Sequence, residues 1–371
     1  MANTNFAALM ENELIIHSRE FWQETRNNSF FMTFAGSTEN SMIQRVTELT
    51  DRRGTGNKAT ITLVNDGVGD GTVGDDTLKG NEEALRSTEI SIQFDQWRHA
   101  HKNYGRMSDQ KSIVQFRKVA KTNLSRTCAR VMDETLALTM AGVGYEFNND
   151  GTLRTGSKLP QLEFAADVTA PTSRRHFRWN KASGVLAPAD TTAVAATDLP
   201  TWNMLVDMKA KAVNEYINPL RSEDGVDVYN VFMTPNGIAA LKKDTDFLAA
   251  MREAQQRGEK NPLFKGTRHG GKSGIYVDGL NILEYRNVFH SSTWGSGANV
   301  HGQRVMLCGA QAVGMADIGN AYWNEEEEDY GNIMAIAIGK MFGWRKSRFF
   351  STHSNSTEDF SILCVDTAEN V

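Results

Sequence analysis

The sharpest chemical string in the chain is Gly266-Thr267-Arg268-His269-Gly270-Gly271-Lys272-Ser273, a full match to the phosphate-cradling pattern G-x-x-x-x-G-K-S. In that chemistry Lys272 would reach the outer phosphates of a nucleotide and Ser273 would hold Mg²⁺. The mechanism also needs a buried strand leading into the loop and a helix starting at Lys-Ser, so that backbone N–H groups face the phosphate. Residues 260–265, with Asn261 and Pro262, make a poor strand, and 274–279 read as strand and turn. No apolar run ending in Asp follows. The string is therefore expected to be a flexible basic loop. A P-loop nucleotide-binding protein using Gly266 to Ser273 is the alternative reading.

Gly69-Asp70-Gly71-Thr72-Val73-Gly74 fits the dinucleotide pattern G-x-G-x-x-G and follows a strand-like run. Asp66, Asp70, Asp75 and Asp76 in the same loop would repel a pyrophosphate, and their spacing does not match an EF-hand loop. His99 and His101 stand two apart, which suits a strand better than a metal-binding helix face. No HExxH and no G-x-S-x-G elbow occurs. Cys128, Cys308 and Cys364 are too few and too scattered for a disulfide framework or a structural zinc site, and fit a reducing compartment. No catalytic, cofactor-binding or metal-binding residue is expected. Arg174-Arg175-His176-Phe177-Arg178-Trp179 has two readings, phosphate contact with base stacking or an anchor between subunits. The anchor is preferred, because 40 Lys+Arg against 45 Asp+Glu leave a net charge of −5. Glu325 to Asp329, five consecutive acids, read first as a solvated face, with repulsion of nucleic acid or pairing with a basic patch on a neighbour as the alternatives.

The elements that must carry these residues follow from periodicity. Residues 9–26 are helix-like, with Leu14, Ile15, His17, Phe21 and Trp22 crowding one side, and run into Phe30-Phe31-Met32-Thr33-Phe34. Such an apolar arm has to be buried by its own domain or by a neighbour. Thr60-Ile61-Thr62-Leu63-Val64 and Glu89-Ile90-Ser91-Ile92-Gln93-Phe94-Asp95 read as strands, with Ile90, Ile92 and Phe94 on one face. The Gly- and Asp-rich loop between them, 65–83, makes a long protruding hairpin, and loops of that length usually serve a function or are disordered. Residues 108–141 predict one helix about 50 Å long, with Ser108 as N-cap. Ile113, Phe116, Ala120, Leu124, Cys128, Val131 and Leu138 recur along it at helical steps. Residues 148–200 shift to Ala, Thr, Asp, Gly and Pro and read as irregular connection with little core of its own. From Thr201 helices and strands alternate; Thr234-Pro235 marks a helix start. The last third reads as short strands. No segment is apolar enough to span a bilayer, and residues 1–6 lack the pattern of a signal peptide. At 371 residues, length allows two or three domains.

Two blocks carry a family likeness: Thr77-Leu78-Lys79-Gly80-Asn81-Glu82-Glu83 at the end of the hairpin loop, and Arg106-Met107-Ser108-Asp109-Gln110-Lys111-Ser112 at the head of the long helix. Met1-Ala2-Asn3-Thr4 and Gln44-Arg45-Val46-Thr47-Glu48-Leu49-Thr50 add to it. With the order of arm, Gly-rich hairpin, long helix, α+β unit and returning strands, the chain resembles the major capsid proteins of tailed bacteriophages with the Hong Kong phage (Johnson) fold. The likeness is greatest to the major capsid family of certain short-tailed phages.

The resemblance implies an α+β capsid fold divided as follows: N-terminal arm 1–50, extended hairpin loop 51–100, peripheral domain with spine helix 101–147, irregular insertion 148–200, axial domain 201–306, and returning strands of the peripheral domain 307–371. It implies a non-enzymatic, self-assembling subunit of an icosahedral head enclosing double-stranded DNA, present in the virion and assembled in the host cytoplasm. The implied partners are copies of the chain itself in hexamers and pentamers, with scaffolding, portal and decoration proteins beside them and weak, non-specific contact with packaged DNA. No membrane is implied. Lys–Asn cross-links occur in some relatives, but no such pair is identified in this sequence. A mildly acidic container also fits a wall that must release its DNA, since a strongly cationic one would grip it.

Overall fold

A computed structural model describes residues 7–47, 58–64, 69–83, 87–111, 116–221, 225–257 and 275–370. Helix α1 (Ala7–Asn28) leads through a 3-10 turn, Phe31–Phe34, into strands β1 (Ala35–Gly36) and β2 (Ile43–Val46). Strands β3 (Lys58–Val64), β4 (Ser87–Gln93) and β5 (Asp95–Lys102) precede helices α2 (Arg106–Lys111) and α3 (Phe116–Ala141). Short 3-10 turns and strands β6 (His176–Asn180) and β7 (Val185–Pro188) follow. Next come α4 (Trp202–Asn214), β8 (Leu220–Arg221), β9 (Asp227–Met233), α5 (Pro235–Lys243) and α6 (Thr245–Arg257). The chain continues through β10 (Ile275–Val277), β11 (Leu280–Glu284), β12 (His290–Trp294) and β13 (Val300–Cys308). It closes with β14 (Val313–Glu328), β15 (Ile333–Lys346), β16 (Arg348–Ser351), β17 (Ser356–Asp359) and β18 (Ile362–Ala368).

Two sheets organise these elements. One has the order β1-β2-β14-β15-β5; the other runs β10-β11-β9-β13-β18-β6-β7, with β12 on β13 and β8 on β9. Strand alternation assigns the two faces of the second sheet. On β13, Val305 and Leu307 pack with Met204, Met208, Leu241 and Phe247 of α4, α5 and α6. Met306 and Cys308, the alternate residues, join the larger core around Leu124, Cys128, Met132, Leu136 and Met140 of α3. Ile336, Ile338, Phe342 and Trp344 of β15 enter that same core. Helix α3 is thus the shared spine of both sheets, and its apolar residues fall at the three- and four-residue steps expected of one buried stripe.

Several expectations change on contact with the structure. Helix α2 already begins at Arg106, so Ser108 lies inside it rather than at its cap. Residues 112–115, between α2 and α3, lie outside the described residues, as does Ile113. The 148–200 segment is not irregular throughout. Its β6 lies parallel to β18, Cys364 opposite His176, and Trp179 is buried. The composition hid this because the partner strand lies nearly two hundred residues away. The final strands divide between the sheets: β14 and β15 pair with β2 and β5, whereas β18 sits between β13 and β6. Strand β5 runs to Lys102 and pairs antiparallel with β15, so the hairpin returns directly into the first sheet.

Candidate functional site

The hairpin read from the sequence is present. β3 and β4 pair antiparallel from Lys58 opposite Gln93 to Val64 opposite Ser87. Its root is fixed by packing. Ala59, Ile61, Ile90 and Ile92 are buried against Ala316, Ile318 and Phe349, with Phe94 packed partly buried at the edge. Two glycines permit the close approach. A Cβ on Gly314 would stand 2.5 Å from Ile92 Cδ1 and 2.7 Å from Ile61 Cδ1. A Cβ on Gly343 would stand 1.9 Å from the Gln93 carbonyl oxygen, a contact with backbone that cannot move aside. The Arg345 guanidinium donates to the Ser91 carbonyl and reinforces the joint. Ile61, Ile90, Ile92 and Phe94 were read as strand residues in the sequence, but Gly314, Gly343 and Arg345, which seat them, were missed. The available signal was glycine inside an otherwise apolar strand, which often marks close approach of another backbone.

The tip is the opposite case. Every residue of 69–83 is exposed, including Val73 at 80% and Leu78 at 61%. Its hydrogen bonds are local: Glu83 accepts from the Gly69 N–H, Glu82 from the Gly80 N–H, and the Asn81 side chain donates to the Thr77 carbonyl. Asp70, Asp75 and Asp76 are exposed in the same loop as the two apolar side chains. A rigid root thus carries an acidic, partly apolar tip that its own chain does not bury.

The other singled-out residues fall as follows. No helix follows Gly69 to Gly74 within 69–83, so the dinucleotide geometry is absent there. Asp66 and the string from Gly266 to Ser273 lie outside the described residues. Among the described residues no group of three or more His, Cys, Asp or Glu side chains could hold a metal. His99 lies between Trp97, ring centroids 5.9 Å apart, and His101, 5.3 Å apart. Partial burial, with His101 and Arg130 nearby, holds the His99 imidazole below its usual pKa. The acidic run is partly paired: Glu325 accepts from Arg117 and Trp323, and Glu328 pairs with Lys102.

Within the island from Arg174 to Trp179, Arg175 and Trp179 are buried in their own chain and so do not serve as the expected anchor between subunits. Arg175 is 4% exposed and donates to the Asp359 and Glu215 carbonyls. His176 Nε2 lies 2.9 Å from Asp366 Oδ2, and Arg304 makes two contacts, 2.8 and 3.2 Å, to the same carboxylate. Burial opposes ionisation of Asp366, but Arg304 and His176 outweigh it and hold the carboxyl below its usual pKa. Arg178 donates to the Ala193 carbonyl, and Trp179 is core. Most of these side chains thus meet their contacts within the chain, because β6 is an internal partner of β18, although Arg174 stays half exposed and the buried Arg175 Nη1 and Trp179 Nε1 make no hydrogen bond.

Two sheets on one spine helix with a projecting hairpin are the architecture that the resemblance to the tailed-phage capsid folds implied. Comparison with known proteins agrees. Residues 5–371 match the family described as phage capsid protein. The chain is 44% identical over 370 residues to the major capsid protein of Pseudomonas phage KPP25, covering 98% of this chain and 96% of that one. Its structure is similar to the capsid of Ralstonia phage GP4, with a TM-score of 0.74, 26% identity and 92% of each chain covered. The fold is shared with the capsid of cyanophage Pam1, with a TM-score of 0.68, 20% identity and 92% of each chain covered. The chain belongs to the phage capsid protein family and is a major capsid protein of a phage head, with the Hong Kong phage-type fold. Nothing in these likenesses supports the P-loop alternative.

Proposed function

We propose that the chain acts without catalysis, as a tile that assembles with copies of itself into the hexamers and pentamers of an icosahedral shell around double-stranded DNA. The observation that carries this is the contrast within one hairpin. Its root is locked to the first sheet by Ile61, Ile92, Gly314 and Gly343, while its tip leaves Val73 and Leu78 exposed. Fixed direction with an uncovered end suits a limb that reaches a neighbouring copy, and interfaces of this kind close by symmetry. In this reading the hairpin and the N-terminal segment are reaching arms. α3 with the β14–β15 sheet is the peripheral lobe, and the sheet around β9 and β13 with α4 to α6 is the axial lobe. Scaffolding, portal and decoration proteins are the further partners. The mature site of action is the virion, after assembly in the host cytoplasm.

The test is assembly of the purified chain, followed by electron microscopy and light scattering. Shells are expected. V73D/L78D should lower shell yield severely while the melting temperature of the unassembled subunit stays near that of the parent, because neither side chain is buried in the monomer. A strictly monomeric protein at every salt and concentration, with or without a scaffold partner, would overturn the proposal.

A further inference from the structure

Helix α3 carries Arg117, Lys118, Lys121, Arg126 and Arg130 before its first acid, Asp133. Three of these cations are matched: Arg117 by Glu325, Lys121 by Glu20 and Arg130 by Glu134. Lys118 and Arg126 are exposed and have no carboxylate within ion-pair distance among the described residues. Lys118, Thr122, Arg126 and Arg130 recur at four-residue steps, one stripe spanning about 18 Å of helix. Lys118, Val119, Thr122, Asn123 and Arg126 line a shallow groove of about 390 Å³. Strand β5 flanks the stripe, with Asn123 Nδ2 3.4 Å from His101 Nε2. By contrast, the exposed hairpin tip carries Asp70, Asp75 and Asp76, and the exposed end of β14 carries Glu326 and Glu327.

We propose that this face of α3 is the part of the shell wall that touches packaged double-stranded DNA, with Lys118 and Arg126 meeting phosphates and the Thr122 and Asn123 side chains donating hydrogen bonds to them. The inference rests on the reading that the chain encloses DNA. Duplex DNA presents one phosphate charge per about 1.7 Å of its axis, so a stripe of this length always finds phosphates without any sequence register. Only two cations on this face are uncompensated among the described residues, which makes each contact weak and strongly salt-sensitive. Repetition over the wall spaces the DNA, and the weakness of each contact lets it leave.

The test is fluorescence anisotropy of a short labelled duplex titrated with the purified subunit over a series of NaCl concentrations. Loss of two phosphate contacts in K118Q/R126Q should make the slope of log affinity against log salt shallower by about 1.8. The charge-conserving K118R/R126K should keep the slope. K242Q/K243Q, which removes two exposed cations from α5, should leave it unchanged. An unaltered slope in K118Q/R126Q, or an equal change in the α5 variant, overturns the proposal. It also fails if K118Q/R126Q binds duplex like the parent but no longer forms shells, since the stripe would then be a contact between copies. Absence of shells from the parent chain itself would count against the assembly reading, independently of the anisotropy result.

Discussion

Ser29 donates its hydroxyl hydrogen to Asp133 Oδ1 across 2.6 Å, joining the end of α1 to the middle of α3. The same carboxylate accepts the N–H groups of Phe30 at 2.8 Å and Phe31 at 3.2 Å. A buried acid on the spine helix thus caps the turn that ends α1. Beyond it, Phe31 and Phe34 pack edge-on against Phe232 of β9, with centroids 5.2 and 5.8 Å apart. The aromatic segment that needed a cover finds it within its own chain.

Asp133→Ala would leave two buried donors and one partly buried donor without their acceptor. The expected loss of stability is on the order of 3 kcal/mol, since each orphaned buried donor costs about 1–3 kcal/mol and the losses overlap. Asp133→Asn, which retains one acceptor oxygen, should lose less. The urea midpoint of the unassembled subunit measures both, and a midpoint unmoved in D133A would show that the carboxylate does not hold the turn.

The Arg304–Asp366–His176 cluster predicts acid sensitivity with a definite sign. Against the opposing effect of burial, Arg304 and His176 hold the Asp366 carboxyl below its usual pKa in the folded state. Its ionisation therefore stabilises the fold above the unfolded carboxyl pKa, and this contribution fades as pH falls through the lower folded value. Stability measured by urea at pH 7 and pH 3 should drop more steeply for the parent than for D366N, which lacks the titrating group. Equal pH dependence in the two would place the acid-sensitive charge elsewhere.

At the hairpin root, Gly343→Ala puts a methyl group where the Gln93 carbonyl stands 1.9 Å away. The strand has to separate from β4, so amide hydrogen exchange across β4 should accelerate and shell yield should fall. Gly184→Ala is the control, because nothing lies within 4 Å of a Cβ there, although its positive φ adds a small local strain. Unchanged exchange across β4 in G343A would mean that the hairpin is not seated as described.

All three cysteines are buried thiols. Burial raises the pKa of Cys128 and Cys364 to about 12, and that of Cys308 well above its usual value. Iodoacetamide at pH 8 should therefore label none in the folded chain and all three after denaturation, as counted by mass spectrometry. Rapid labelling of any one in the native state would contradict its placement in the core.

What was legible in the sequence was local. The stripe through Ala120, Leu124, Cys128 and Val131 on α3, the alternation of Ile90 and Ile92 on β4, and the helix start at Thr234-Pro235 depend only on residues a few positions apart. Each is present, down to the Thr234 hydroxyl accepting the Gly237 N–H at 3.2 Å. The chemistry-bearing strings were weighed by the same local logic, since a phosphate loop needs its strand and helix immediately beside it.

The island from Arg174 to Trp179 shows where local logic stops. Its composition, basic and aromatic, is that of an interface, and by itself it determines only that these groups require partners. That the partners are Asp366, Glu215 and Asp359 of the same chain depends on β6 pairing with β18, 190 residues from His176 to Asp366. The clamp of Gly314 and Gly343 on β3 and β4 is likewise a meeting of segments more than two hundred residues apart. Helical and strand periods are set by backbone geometry within a few residues, so the sequence alone could determine the hairpin and the strongly periodic elements, though not β6 and β7. Which surfaces are spent inside the subunit and which remain for other molecules is set by burial after long-range pairing, and that only the tertiary structure decided.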